Sequence, residues 1–387
     1  MPTEKLYDTD AYRTEFEARV LSCTENDGKY HVVLDRTLFF PEEGGQACDT
    51  GNINGIPVTD VTIEKDGTIT HRLPSPLKVG DTVKGEIDFA PRFRKMQHHT
   101  GEHILSGLAH RLYGAENVGF HLGDTDVTMD LSVELDRYAL DRIETLANEA
   151  VYRNLPVTAR YLTPEEIRTA VYRSKLDLTE NVRVVTVQDY DDCACCAPHV
   201  ARTGEIGAIK ILDFMRYKGG VRLHIVCGAD ALTDYRTRYT QAVSISNLLS
   251  AKQTDIVEAV EALQNALVEE KRAQNALLDR ILAEEQKRLP EGEAEEDLVL
   301  FAPLLDARRL RELVNRAVPK TKGLAAAFAG SDETGYTYII GSKALDLRAM
   351  SKEINESLSG RGGGSKEMIQ GSVKATEAEI RAYFGGR

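Results

Sequence analysis

His99 and His103 flank the run Thr-Gly-Glu, a spacing that puts both imidazoles on one face of a helix and within reach of one metal ion. The pattern differs from that of zinc peptidases, because Thr100 follows the first histidine and Glu102 precedes the second. Histidines also meet at this spacing by chance, as ordinary surface or core residues. A second cluster makes the pair informative: the run CACCAPH at 193–199 gathers three thiols and an imidazole in seven positions. Zinc takes nitrogen and sulfur donors in a tetrahedron, and Cys195 with His199 would complete a His₃Cys set with His99 and His103. Cys193 and Cys196 stand close enough that chemistry alone leaves the choice of thiol open. His103 and Cys195 are 92 positions apart, which fits a catalytic or composite site better than a compact finger.

Other groups have weaker signals. Gly44 and Gly45 permit close backbone approach, and Gln46 could hydrogen-bond a substrate or simply end a tight turn. His98, Glu102, His121 and Asp124 are candidates for proton transfer or for contacts behind a metal ligand, each with an ordinary structural alternative. The run RGGGSK joins Arg361, Gly362, Gly363, Gly364 and Lys366, grouping backbone N–H donors and two cations as phosphate-binding loops do. The basic run RFRK at 92–95 reads as a solvated face.

These groups need a scaffold, and the hydrophobic pattern predicts an α+β chain with several parts. Short alternating segments punctuated by Gly, Asn, Asp and Pro predict a small N-terminal β-barrel over 1–90. Ile104, Leu105, Leu108 and Leu112 at helical spacing, closed by Gly114, predict a central helix that leads into an α+β domain over 91–232. Within that domain PEEIRTAVYR is expected to be helical. No Gly or Pro interrupts 229–289, where Ala, Leu, Glu, Lys, Gln and Arg dominate, so a long helical arm is expected over 233–290. Glu270 and Gln274 break the heptad of Ile256, Val260, Leu263 and Leu267, which favours a hairpin or bent arm over one coiled-coil seam. The stretch 290–297 reads as a linker. Residues 291–387 are expected to form an α/β module ending in a glycine-rich loop and a final helix.

The 387 residues carry a net charge of −13, which argues against non-specific coating of nucleic acid. The charge is uneven: 301–387 has a net of +4, so an acidic body bears a basic C-terminal module that could seat one specific RNA. No apolar run is long enough for a membrane span and no N-terminal signal core is visible, so a cytoplasmic protein without a membrane partner is expected. Six cysteines are too sparse for a disulfide scaffold.

Three motifs in order resemble a known family. HTGEHILS at 99–106 and CCAPHVARTGEIG at 195–207 are similar to the HxxxH and CxxxH motifs of the alanyl- and threonyl-tRNA synthetase editing domains. DRTLFFPEEGGQACDTG at 35–51 resembles the barrel segment preceding that domain in alanyl-tRNA synthetases, and RGGGSKEMIQG at 361–371 resembles the glycine-rich motif of their C-terminal domain. The whole resembles the long form of AlaX, the free-standing alanyl-tRNA editing family. Where the family usually has Cys-Gly-Gly-Thr-His, this chain has Cys-Cys-Ala-Pro-His, which keeps the register of Cys195 and His199 but changes the lining between them.

The resemblance implies Zn²⁺ on His99, His103, Cys195 and His199 and hydrolysis of serine or glycine wrongly esterified to tRNA(Ala). It also implies a tRNA contact at Arg361, Gly362, Gly363, Gly364 and Lys366. Thr100, Gln46 and Glu102 are the candidate catalytic residues, with Thr100 placed to read a seryl hydroxyl. A homodimer through the arm or the C-terminal domain is compatible with this layout. Four protein ligands would close the zinc tetrahedron, so either a ligand is displaced, the metal becomes five-coordinate, or zinc orients substrate while water is activated elsewhere. The competing readings are editing of another tRNA, such as Ser-tRNA(Thr), and a non-catalytic zinc-stabilised tRNA-binding protein.

Overall fold

Phe16, Ala18 and Val20 alternate with exposed residues along the strand Glu15–Asn26, the two-residue period of a strand with one buried face. In the computed structural model, which describes residues 2–123, 126–174 and 179–386, this strand is the spine of a seven-stranded antiparallel sheet. Its first half pairs with Thr82–Ile87 and its second half with Lys29–Leu34, with a register shift between Val20 and Ser22. The sheet almost closes on itself. Ile56–Val58 forms one edge beside Gly51–Ile53, Asp60–Ile63 forms the other beside Ile69–Leu73, and Thr59 alone separates the two along the chain. Gly85 lies opposite Phe16 in register, and a Cβ there would fall 2.3 Å from the Phe16 ring. The barrel core therefore depends on that glycine.

The chain divides into two compact units, Met1–Ala242 and Val243–Arg387. In the first, the barrel is followed by helix α1 (Phe89–Tyr113), which ends at Gly114 in the left-handed region (φ 62°). Residues 95–109 of α1 are all buried, so this is a central helix whose polar side chains must find partners inside the protein. Asn117–Leu122, Val127–Leu131, Gly220–Cys227 and Ile209–Tyr217 form an antiparallel sheet in that order, and helix α2 (Arg137–Arg153) shares its core with α1. A smaller sheet joins Val157–Tyr161, Arg183–Val187 and Asp191–Ala194.

Several expectations need correction. Helix α3 (Pro164–Thr169) stops before Ala170, which is extended, because Arg173 bridges to Cys193 and pairs with Asp191 instead. The run at 92–95 lies inside α1 and is not a solvated face: Arg92 and Lys95 are buried. The region 229–289 is two helices, α4 (Ala229–Leu249) and α5 (Ile256–Lys287), parted where Ser250 turns left-handed (φ 50°). Neither Gly nor Pro makes this break. Ser246 Oγ donates to Ala251 O (2.6 Å), replacing the lost helical partner.

The second unit is built on a five-stranded sheet of order Leu298–Phe301, Leu324–Ser331, Gly335–Ser342, Met368–Val373, Arg361–Gly364. Helices α6 (Ala307–Ala317), α7 (Leu347–Ser357) and α8 (Glu377–Gly385) cover it, and Leu282 of α5 joins the cluster around Leu310 and Leu313. The stretch 290–297 is no free linker, since Ala294 pairs with the backbone of Lys320 and Lys322. The glycine-rich segment is no loop either: Arg361–Gly364 is an exposed edge strand against 369–372. Gly362 and Gly371 face each other there, and a Cβ on Gly362 would lie 2.2 Å from the Tyr338 hydroxyl. Among the described residues no helix is long and apolar enough to cross a membrane.

Candidate metal centre

Because α1 is buried on all sides at this depth, His99 and His103 project into the interior, with ring centroids 5.4 Å apart. The other half of the cluster follows the strand Asp191–Ala194. Arg183, on the neighbouring strand, accepts Cys195 N on its carbonyl (3.0 Å) and donates through its guanidinium to Cys195 O and Ala197 O, both at 3.0 Å. At the far end Val200 N donates to Thr100 Oγ (3.3 Å). Pinned at both ends, 195–199 folds over α1 and sets the His199 ring 4.8 Å from His99 and 4.6 Å from His103.

The ligand atoms of His99, His103, Cys195 and His199 all lie within 4.8 Å of one another. Cys195 Sγ is 3.6 Å from His99 Nε2 and 3.4 Å from His199 Nε2. Each imidazole has an oxygen behind it on the Nδ1 side: Gln46 Oε1 at 2.9 Å from His99, Asp191 Oδ2 at 3.1 Å from His103, and Thr100 Oγ at 3.0 Å from His199. Thr100 gives its own hydroxyl hydrogen to Met96 O (2.8 Å), so it can only accept from His199. That fixes the Nδ1–H tautomer and leaves the Nε2 lone pair for the cluster. Oxygens placed behind ligating imidazoles are the arrangement that orients metal-binding histidines. Three imidazoles and a thiol at this spacing could hold a metal ion.

The electrostatics match this donor set. Burial alone would raise the Cys195 thiol, yet His99 and His199 bring it well below the ordinary cysteine range. Burial works against a charged His103, but Asp191 and Cys195 outweigh it and raise its pKa well above the usual value. Burial pushes His199 down to about 3 against the pull of Cys195, so it is neutral at physiological pH. Asp191 is itself held down, against burial, by His103 and Arg173, the latter donating from Nε to Oδ1 (2.6 Å) and from Nη2 to Oδ2 (2.8 Å).

His99, His103 and Cys195 line a cavity of about 460 Å³, together with Glu102, Asn117 and Phe120. Glu102 is buried and accepts from Ser106 Oγ and Asn117 Nδ2. Gln46 and Thr100 are fully buried behind the rings and do not line the cavity. Gly45 makes its close approach to protein, since Leu122 N donates to Gly45 O (2.8 Å) and a Cβ on Gly45 would sit 2.2 Å from Phe120 O, whereas a Cβ on Gly44, which lines the cavity, would meet nothing within 4 Å. His98 has both ring nitrogens engaged, with Arg94 O (2.9 Å) and Cys227 N (3.1 Å), while His121 is exposed and Asp124 lies outside the described residues. Cys193 groups with His103 and Asp191, and Cys196 faces Glu43, so Cys195 is the thiol that meets all three imidazoles. Arg361, Gly362, Gly363, Gly364 and Lys366 are exposed in the second unit.

Sequence reasoning overlooked Asp191, Asn117 and Arg183. Asp191 had a readable signal, since 191, 193 and 195 alternate along a strand and share a face. Asn117 and Arg183 are brought in by non-local pairing and had none.

The family description "Threonyl and Alanyl tRNA synthetase second additional domain" matches residues 182–223, and "tRNA synthetases class II (A)" matches 9–90. Alanyl-tRNA editing protein AlaX-L of Pyrococcus horikoshii is 28% identical, over 97% of this chain and 96% of its own length. The likeness to this editing protein runs from end to end of both chains. Alanyl-tRNA editing protein Aarsd1 of Mus musculus is likewise 28% identical, over 96% of this chain and 94% of its own. Alanine–tRNA ligase of Halobacterium salinarum reaches 37% identity over 67% of this chain but only 30% of the ligase. The family likeness thus spans nearly all of the editing proteins and a minor part of the ligase.

The hydrogen bond behind His199 is open to test. Thr100→Val keeps the shape of the side chain but offers His199 Nδ1 no acceptor. Affinity for a divalent metal should fall roughly 10- to 100-fold, measured by competition with a chromophoric chelator. Unchanged affinity would show that Thr100 does not orient the ring.

Proposed function

We propose that this chain is a trans-acting hydrolase that cleaves serine, and also glycine, from mischarged tRNA(Ala), with Zn²⁺ held by His99, His103, Cys195 and His199. What supports this most is the meeting of three imidazoles and one thiolate, of which His99, His103 and Cys195 face a cavity large enough for an aminoacyl group. When bound, zinc would supply Lewis acidity toward the ester carbonyl or a more acidic water. The remaining work falls to the protein. Gln46 and Thr100 keep His99 and His199 in one tautomer and orientation and so are positioning residues, while the Asp191 carboxylate lies beside His103. Glu102 lines the cavity, fixed by Ser106 and Asn117, and is the carboxylate suited to take a proton from the attacking water. Phe120 packs on His99 (centroids 5.0 Å) and limits water access to the ligands.

In this reading the barrel (1–90) and the domain 91–232 hold the hydrolytic centre, and 233–290 is an arm. Residues 291–387 seat the tRNA through Arg361, Gly362, Gly363, Gly364 and Lys366. The exposed Val260, Leu263 and Leu267 of the arm suit a homodimer, and the protein works in the cytoplasm.

Rates on Ser-tRNA(Ala), Gly-tRNA(Ala), Ala-tRNA(Ala) and Ser-tRNA(Thr) test the assignment. The first two are expected to be hydrolysed far faster than the third. Equal rates on serine and alanine would indicate a general esterase, and a preference for Ser-tRNA(Thr) would move the enzyme to another tRNA. A 1–249 fragment, which keeps α4 whole, should retain its metal but bind tRNA more weakly. Its binding should also depend less steeply on salt, by roughly one unit of slope per phosphate contact removed. Identical affinities and slopes would leave the last module without a role in holding tRNA.

A further inference from the structure

The cavity has a second polar wall that the metal cluster does not use, formed by Lys5, Glu43, Gly44, Tyr161, Arg183 and Cys196. Three buried polar atoms of this region make no hydrogen bond: Tyr7 Oη, Asp8 Oδ1 and Glu43 Oε2. They stand close together, since burial and then the Asp8, Cys196 and Glu43 charges all raise the Tyr7 phenol. Asp8 is nevertheless compensated. Its Oδ2 accepts from Tyr161 Oη (2.8 Å), and Arg183 Nε lies 3.4 Å from Oδ1. Glu43 has the Cys196 thiol beside it but no such cation: among the described residues Lys5 makes no ion pair, and Arg183 is committed to Asp8 and to the 195–197 backbone.

The backbone holds Glu43 in place. Glu43 N donates to Gln46 O (3.2 Å) and Gln46 N to Glu43 O (3.0 Å), closing a turn through Gly44 (φ 64°) and Gly45 (φ 84°). The same Gln46 carries the acceptor behind His99, so one four-residue turn ties Glu43 to the metal cluster. A carboxylate oxygen kept from water without a partner is costly, and a ligand that brings N–H donors and positive charge offsets that cost.

We propose that Glu43, which lines the cavity, receives the α-ammonium group of the aminoacyl ester. The inference rests on the reading of the chain as an aminoacyl ester hydrolase. The α-ammonium is the one cationic group at the acyl end of that substrate. Held by Glu43, it fixes the α-carbon, so the pocket measures the side chain from a set point and uncharged acyl esters are poor ligands.

Binding of 3′-seryl-amino-adenosine, whose amide resists hydrolysis, can be compared by calorimetry with its isosteric analogue bearing an α-hydroxyl in place of the ammonium. The full-length protein should bind the ammonium compound about 10- to 100-fold more tightly, the range of a charge-assisted hydrogen bond. Glu43→Gln, which preserves size, should remove that preference while retaining the metal content of the unmodified protein. Equal binding of the two compounds by the unmodified protein would overturn the proposal without any variant, as would an undiminished preference in Glu43→Gln. Deacylation of Ser-tRNA(Ala) is measured alongside. A protein that prefers the ammonium compound yet hydrolyses no ester would keep the Glu43 assignment and lose the hydrolase.

Discussion

Replacement of Cys195 by alanine is expected to abolish zinc binding and to lower deacylation of Ser-tRNA(Ala) by about 10²- to 10³-fold, whereas Cys193→Ala should leave both largely intact. The estimate follows from the cost of removing a group that stabilises developing charge in an acyl-transfer site. The contrast between thiols follows from geometry. Cys195 Sγ approaches the Nε2 atoms of His99 and His199 within 3.6 Å, while Cys193 groups with His103 and Asp191. Elemental analysis of the two variants decides it. Zinc retained in Cys195→Ala and lost in Cys193→Ala would transfer the ligand role to the neighbouring thiol.

Zinc uptake should depend on pH with a defined sign. A metal must displace any proton on its ligands, so a proton held more tightly in the free protein makes affinity rise with pH. His103 holds such a proton because Asp191 and Cys195 raise its pKa. Cys195 is already a thiolate and His199 already neutral, so neither releases a proton on binding. The logarithm of the zinc affinity should therefore climb by about one unit per pH unit through neutrality, for one displaced proton. A slope near two would mean that Cys195 enters as a thiol.

What could be read from the sequence was what local spacing determines. The helix bearing His99 and His103 follows from Ile104, Leu105 and Leu108 and from the stop at Gly114, and the candidate ligand pairs follow from two four-residue intervals. Their surroundings were illegible because they come from elsewhere in the chain. Gln46 is 53 residues from His99 and Asp191 is 88 from His103, and no periodicity links such positions. Burial misled in the same way. Arg92 and Lys95 look like a solvated run until the barrel packs on that side of α1, and Gly362 looks like a loop residue until Tyr338 occupies the space a side chain would need. Glycine signals close approach, but not whether the partner is a ligand or the protein's own backbone.

The largest stability effect should come from the junction that aims α1. Arg92 is fully buried, and its Nε donates to both oxygens of Asp49 at 3.0 Å. Nη2 donates to Leu38 O at 2.6 Å and also to Asp49, and Nη1 to Ala11 O at 3.2 Å. Asp49 Oδ2 also accepts from Phe40 N (2.7 Å). One guanidinium thus joins the N-terminal segment, the barrel and the first turn of the helix that carries His99 two turns later. Desolvating both charges offsets much of their attraction, so the pair adds little net stability, but removing one partner strands the other in the core. Asp49→Ala is accordingly expected to lower unfolding free energy by about 3–5 kcal/mol, and Asp49→Leu with Arg92→Met by much less than the sum of the single changes. Urea unfolding of the 1–249 fragment, followed by circular dichroism, measures the cycle. The double variant also separates stability from positioning. Asp49 is three residues from Gln46, so a loop that keeps its fold but loses its anchor lets the His99 ring drift. The double variant should remain folded yet bind zinc more weakly than the unmodified fragment. Unchanged zinc affinity in a folded double variant would show that the Gly44-Gly45-Gln46 turn, docked on Phe120 and Leu122, positions His99 without help from the ion pair.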